Sequence, residues 1–332
     1  MGSDGGCGKL SPLATPSATR RVLERHGLYT KYGLGQNFLV NDDVIRKILE
    51  LAEVGPRDTV LEVGPGIGTL TYALLTRARE VVAIEKDAEL PAVLADTLQE
   101  FEPRFTLLSM DALDLGKLAE VQPGFGGSSF RPNKFVANLP YAVAATVVLE
   151  YLQRLDSLES ATVMVQKEVA DRMTAKPGSK TYGAYTVKLG LVAQPAGRFS
   201  VAPGNFFPPP RVDSSVLRLN RQLACDDTGR PLSSELMAAA CTMADAAFAT
   251  RRKTFANSCK TYFAGQPQVV AALPRIFEEA GIDPLRRGET LNQEEFIRLA
   301  QAMTACQAVA TVMSSCHPGK RTGFAIWAHH LA

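Results

Sequence analysis

Asn138-Leu139-Pro140-Tyr141 follows directly on the apolar run Phe135-Val136-Ala137, and these residue types in this order suit work on a planar ring that carries an amino group. The lone pair of an exocyclic base nitrogen such as adenine N6 is delocalised into the ring. It becomes a usable nucleophile only when its two hydrogens are held and the lone pair is aimed at a methyl donor. The Asn138 side chain and the Leu139 carbonyl supply two acceptors, Pro140 fixes φ and donates nothing, and Tyr141 offers a flat face for a purine. Such stacking contributes about 1–3 kcal/mol per base. Taken alone, the same four residues also fit an ordinary strand-to-helix turn.

A second motif must supply the donor. Thr59-Val60-Leu61-Glu62-Val63 reads as a buried strand running into Gly64-Pro65-Gly66-Ile67-Gly68, followed by a helical stretch from Thr69 to Thr76. Glycines there let backbone approach a ligand closely, and a helix start presents unpaired N–H groups. The Gly-x-Gly-x-Gly spacing with Glu62 two residues ahead departs from the dinucleotide pattern Gly-x-Gly-x-x-Gly, which tilts the ligand from NAD toward S-adenosylmethionine. A strand at Val81–Ile84 ends in Glu85, placed to accept from ribose hydroxyls, and one at Phe105–Ser109 is followed by Asp111, placed to accept from an adenine amino group; either acid could equally be a solvated loop carboxylate.

KYGLGQNFL (31–39), LEVGPGIGTLT (61–71), the NLPY tetrapeptide, QKEVADR (166–172), FFPPPRVDS (206–214) and RRKT (251–254) together resemble the ribosomal RNA adenine dimethyltransferase family of the bacterial kasugamycin-sensitivity type, from about Ala18 to Met303. The resemblance implies that Asn37 and Leu39 contact the methionine end of S-adenosylmethionine, Gly64 and Gly66 allow its close approach, Glu85 takes the ribose and Asp111 the adenine. Asn138 then meets cofactor and target together, with Leu139 and Pro140 completing the catalytic turn. Phe206 matches the family's second aromatic, which sandwiches the flipped adenine against Tyr141. Because Phe207 is aromatic too, which ring stacks is open, with Phe206 preferred.

The 332 residues, 46% hydrophobic, suit one large α/β domain and a small one. No apolar run reaches membrane-spanning length, Met1 to Ser17 lacks a secretory core and is expected to be a disordered leader, and Gly6 breaks a myristoylation pattern. Arg20, Arg21 and Arg25 raise a transit-peptide reading, but Ser17 can cap a helix through His26 that includes Glu24. Six scattered cysteines with no C-x-x-C argue against zinc and a disulfide framework and for a reducing cytoplasm. Cys316-His317 and His329-His330 match no familiar metal spacing, so no metal is expected.

Net charge is only +2, yet its distribution is uneven. Arg172 to Arg211 contains no acid and carries Arg172, Lys176, Lys180, Lys188, Arg198 and Arg211; Ala246 to Phe277 is also acid-free and carries Arg251, Arg252, Lys253, Lys260 and Arg275. One-signed stretches suit phosphate backbones, though charges spread over several faces would merely solvate helices. Arg172, Lys180, Arg211, Arg251, Arg252 and Lys253 are the candidate RNA contacts.

These motifs require a doubly wound sheet with the glycine turn after its first strand. Further strands are predicted at Phe135–Ala137, Ala161–Val165 and Val212–Leu219, and helices at Val143–Leu152 and Thr186–Ala193. The fold expected is α/β: a Rossmann-like class I S-adenosylmethionine-dependent methyltransferase sheet with a small C-terminal α-helical domain. The domains expected are a leader at 1–17, the catalytic domain at 18–222, a polar linker, a helical RNA-binding domain at 230–303 and a tail at 304–332. The function expected by resemblance is N6,N6-dimethylation of two adjacent adenosines near the 3′ end of small-subunit ribosomal RNA, by a cytoplasmic monomer. Alternatives are a large-subunit adenine methyltransferase conferring antibiotic resistance, or a non-catalytic assembly or transcription factor on the same fold.

Overall fold

The structure, a computed structural model, describes residues 9–29, 36–114 and 131–306. The described residues up to Ala170 and those of Pro195–Arg221 form one compact unit; Asp171–Gln194 and the described residues from Gln222 onward form another. The tail's Cys316-His317 and His329-His330, and Lys31 to Gly35 of the first family-like motif, lie outside the described residues.

The first unit opens with α1 (Pro16–Arg25), whose N-cap is Thr15: its side chain accepts from the Ala18 N–H, and Pro16 fills the first turn where no N–H is missed. The cap therefore falls two residues ahead of the expected Ser17. The expected disordered leader also ends early, because the Leu10 and Ser11 N–H groups donate to Asp42 and both Leu13 and Ala14 are buried. A short strand β1 (Phe38–Leu39) leads into α2 (Asp42–Ala52), capped by Asn41, which buries Ile45, Ile48, Leu49 and Ala52 along one stripe.

The sheet follows: β2 (Thr59–Val63), α3 (Thr69–Leu75), β3 (Glu80–Glu85), α4 (Leu90–Thr97), β4 (Phe105–Ser109), β5 (Lys134–Asn138), α5 (Ala144–Arg154) and β6 (Ser160–Gln166). Then come α6 (Lys167–Met173), which crosses into the second unit, α7 (Ala184–Gly190), β7 (Ala193–Val201), β8 (Phe206–Phe207) and β9 (Ser214–Arg221). Seven strands lie in the order β4-β3-β2-β5-β6-β9-β7. The pairs from β4 to β6 are parallel and β9 runs antiparallel to β6. β2 is buried at every residue, as a central strand covered on both faces must be. The α2 stripe packs with Val60, Val81, Val136 and Met164 of the sheet and with Leu39 and Phe206 of the separate β1–β8 pair. Sequence order reverses between β2 and β5, so the carboxyl ends of these two strands form the switch point at which open α/β sheets bind ligands.

The second unit is helical: α7 is joined by α8 (Ser234–Phe248), α9 (Phe255–Tyr262), α10 (Pro267–Glu279) and α11 (Gln293–Ala305). Ser233 caps α8, and Asn292 with Glu295 forms a capping box on α11. The small residues of α8 let backbone come close: a Cβ on Gly288 would lie 2.5 Å from the Ala247 carbonyl oxygen. The predicted helix at Thr186–Ala193 begins and ends earlier, as α7, because Ala193 starts β7. Among the described residues no helix is long and apolar enough to cross a membrane.

Candidate active site

Two turns meet at the switch point. Gly64 leaves β2 with φ +71°, and a Cβ built on it would lie 3.3 Å from Cδ of Pro140, so only glycine lets the two turns close on each other. A Cβ built on Gly66, at φ +60°, would lie 3.0 Å from the ring of Phe38, buried on β1. The cofactor turn and the NLPY turn are thus neighbours because their strands are paired, Leu61 opposite Phe135.

Asn138 ends β5, and its Nδ2 donates to the Asn37 carbonyl at 3.2 Å, which turns Oδ1 into the acceptor left for an amino group. Leu139 is buried and its N–H donates to the Met164 carbonyl of β6, fixing the turn to the sheet. Half-buried Tyr141 shares a 2.8 Å hydroxyl–hydroxyl hydrogen bond with Ser214, and burial raises its phenol pKa, so it stays neutral. Ser214 closes the FFPPPRVDS segment. This bond joins two motifs far apart in sequence and assigns Ser214 a positioning role that residue type alone did not reveal.

Phe206 and Phe207 pair with Leu39 and Phe38 across the β1–β8 ladder. Alternation along β8 sends the two rings to opposite sides. Phe206 is 3% exposed among core side chains, so in this conformation its ring is not open to a base, whereas Phe207 is partly exposed with the Arg20 guanidinium 5.4 Å above its ring.

Glu85 ends β3; its Oε1 accepts from the Lys86 and Asp87 N–H groups, both at 2.8 Å. Burial raises its pKa, and N–H donors from Asp87, Lys86 and Gly66 oppose that rise. Asp111 follows β4, with Oδ2 2.7 Å from the Lys86 ammonium and Oδ1 accepting from the Leu113 N–H. Glu62, two residues before the glycine turn, is 1% exposed with one unpartnered oxygen, and burial pushes its carboxyl up to about 8. A glycine turn held at positive φ, Glu85 and Asp111 at adjacent strand ends, and an unsatisfied buried carboxyl beside them fit the amino, hydroxyl and adenine groups of S-adenosylmethionine.

The candidate RNA contacts divide. Lys180, Arg211, Arg252 and Lys253 are exposed and Arg172 is half-buried. Arg251, by contrast, is committed internally: it donates to Glu289 at 3.1 Å and to the Lys180 carbonyl at 2.5 Å. Lys188, counted among the basic residues of the first acid-free stretch, is also withdrawn, being buried 2.6 Å from Asp245. Sequence reasoning missed both because each partner lies far along the chain. Among the described residues no three His, Cys, Asp or Glu side chains gather as a metal-holding group.

A switch-point glycine turn, acids on the next two strand ends and an antiparallel strand beside the parallel set define a class I S-adenosylmethionine-dependent methyltransferase. A model of the family described as ribosomal RNA adenine dimethylase matches residues 28–299, and the chain belongs to that family. It is 39% identical over 291 residues to ribosomal RNA small subunit methyltransferase A of Enterococcus faecalis, covering 88% of this chain and 96% of that one. To the protein of the same name from Clostridium botulinum it is 38% identical over 287 residues, covering 86% and 98%. Among solved structures, a dimethyladenosine transferase from Plasmodium falciparum shares the fold with a TM-score of 0.63 at 21% identity, covering 79% of this chain and 95% of that one. The 23S rRNA methyltransferase ErmE superposes with a TM-score of 0.57 at 25% identity, covering 80% and 99%.

Proposed function

We propose that this enzyme dimethylates N6 of two adjacent adenosines near the 3′ end of small-subunit ribosomal RNA, acting as a cytoplasmic monomer on RNA of the immature small subunit. The observation that carries the reading is the contact between the two turns: Pro140 packs on Gly64 while Asn138 is anchored to Asn37, so an amino group held by Asn138 would face whatever the glycine turn binds. The small-subunit substrate is favoured over the large-subunit one by the names of relatives matching along nearly their whole length.

In this reading Asn37, Leu39, Gly64, Gly66, Glu85 and Asp111 hold S-adenosylmethionine, which supplies an electrophilic methyl group. Asn138 Oδ1 and the Leu139 carbonyl accept the two N6 hydrogens and turn the nitrogen lone pair toward that methyl. Tyr141, steadied by Ser214, stacks on the target base. Phe206 is the second ring of the clamp, which requires it to leave part of its buried packing as the base enters. No strong base is needed, because the nitrogen acquires positive charge on methylation and can then release its proton to water; positioning and aligned dipoles lower the barrier. The first unit binds the donor, and the second contributes Lys180, Arg252 and Lys253 to phosphate binding, with Arg211 and Arg172 beside the motifs.

The test is incubation with labelled S-adenosylmethionine and either naked small-subunit RNA, immature small subunits or large-subunit RNA, with the modified base mapped by mass spectrometry. Label on adjacent small-subunit adenosines supports the reading, label on large-subunit RNA alone replaces it with the resistance-type activity, and no label on any RNA removes the enzymatic one.

A further inference from the structure

Arg20, Leu23, Glu24, Leu28, Tyr29 and Phe207 line a cleft of about 270 Å³ to which neither the methyl donor nor the target adenosine has been assigned. Its volume lies just below the ~300–1,000 Å³ of drug-sized pockets, which suits one flat ring system. Its walls are two aromatic faces, one of them Tyr29 at 86% exposure, with a guanidinium and a carboxylate beside them. Neither Arg20 nor Glu24 makes an ion pair among the described residues, and the Arg20 guanidinium rests over the Phe207 ring, so cation and ring face a ligand together with the Glu24 carboxylate. An aliphatic partner would not need them. A nucleotide would use all of them, stacking its base, pairing its phosphate with Arg20 and giving an amino hydrogen to Glu24.

The cleft is also joined to the catalytic turn. Phe207 forms its wall and pairs with Phe38, whose ring lies against Gly66, and the neighbouring Asn37 carbonyl receives the Asn138 amide. A flanking nucleotide reaches this cleft only if the strand that inserts its base at Tyr141 runs past Phe207. The opposed facing of Phe206 and Phe207 gives the doubled aromatic a use: one ring in the core, the other toward a separate cleft. We propose that Arg20, Tyr29 and Phe207 form a second base-stacking site, which holds a nucleotide flanking the target adenosine. The inference rests on the RNA-methylating reading above and adds a specificity subsite to it.

The experiment uses the full chain and an RNA hairpin with two adjacent adenosines in the loop, carrying 2-aminopurine in turn at each flanking position. Binding to the wild-type protein quenches the probe at one flanking position. The double variant Arg20→Ala, Tyr29→Ala, which alters exposed side chains only, loses that quench and weakens RNA binding at least tenfold, about 1.4 kcal/mol, with S-adenosylmethionine affinity by calorimetry unchanged. Phe207→Leu does the same while keeping the apolar contact with Phe38. An undiminished quench and RNA affinity in the double variant overturn the site, as does a parallel fall in cofactor affinity. Methyl transfer by the wild-type protein is scored on the same hairpin: transfer without any quench sinks the cleft alone, whereas a variant-sensitive quench without transfer keeps the cleft and removes the methylating reading.

Discussion

Asn138 has one amide to divide between two jobs: its nitrogen donates to the Asn37 carbonyl, which leaves the oxygen for the proposed target amino group. Asn138→Ala removes both without opening a core cavity. Methyl transfer should fall by at least two orders of magnitude while urea unfolding stays close to wild type; near-normal turnover would show that alignment of the amino group lies elsewhere. Glu62 lends itself to a pH test. Its carboxyl ionises near 4.5 in an unfolded chain and near 8 when folded, with burial the main cause. Between those values the unfolded chain binds fewer protons, so the group's contribution is intact below 4.5 and is lost as pH rises toward 8, at up to about 1.4 kcal/mol per pH unit. Glu62→Gln should therefore gain stability relative to wild type between pH 5 and pH 8 in paired urea titrations, and parallel curves would contradict a neutral buried Glu62. The strand-end positions of Asn138, Glu85 and Asp111 were legible from residue type and apolar runs, and the roles proposed for them rest on those positions. Ser214 and the Asn37 carbonyl were not legible as partners, because a hydrogen bond between distant residues leaves no local pattern.

Elements with a strong period were read almost residue for residue: β2 and β4 fall where the apolar runs placed them, and α5 starts one residue after the predicted Val143. β7 was missed, since Gln194, Pro195 and Gly197 break any strand pattern; at the end of the sheet order the strand tolerates a proline that a central strand would not. α7 carries the clearest prediction at this scale. Burial pushes Lys188 down and Asp245 up to about 6, while their 2.6 Å contact works against both shifts. Asp245→Ala leaves a buried ammonium alone and should destabilise by about 3–5 kcal/mol, whereas Lys188→Met with Asp245→Leu together should come within about 1 kcal/mol of wild type or exceed it. Chemical denaturation of the three proteins checks this; equal losses in the single and double variants would mean that the pair is held by something other than its charges.

For the whole molecule, the acid-free stretches located positive charge correctly but could not say which charges are spent internally. Arg251 braces Glu289 and the Lys180 carbonyl, so charge reversal there would disturb the second unit itself. Arg252 and Lys253 are exposed and make no ion pair among the described residues, which makes them the cleaner test. In Arg252→Glu, Lys253→Glu the slope of log RNA affinity against log salt should fall by about 0.7–0.9 for each phosphate that the variant no longer neutralises, with cofactor affinity constant; an unchanged slope would remove this turn from the RNA surface. The central claim is narrower than RNA binding: the site formed by Asn138, Leu139 and Tyr141 methylates adenine N6. Nucleoside mass spectrometry of small-subunit RNA, treated in parallel with the wild-type protein and with Asn138→Ala, measures that directly. N6,N6-dimethyladenosine should appear at two adjacent positions with the wild-type protein and be absent with the variant, and methylation on any other nucleoside, or equal dimethylation by both proteins, would contradict it.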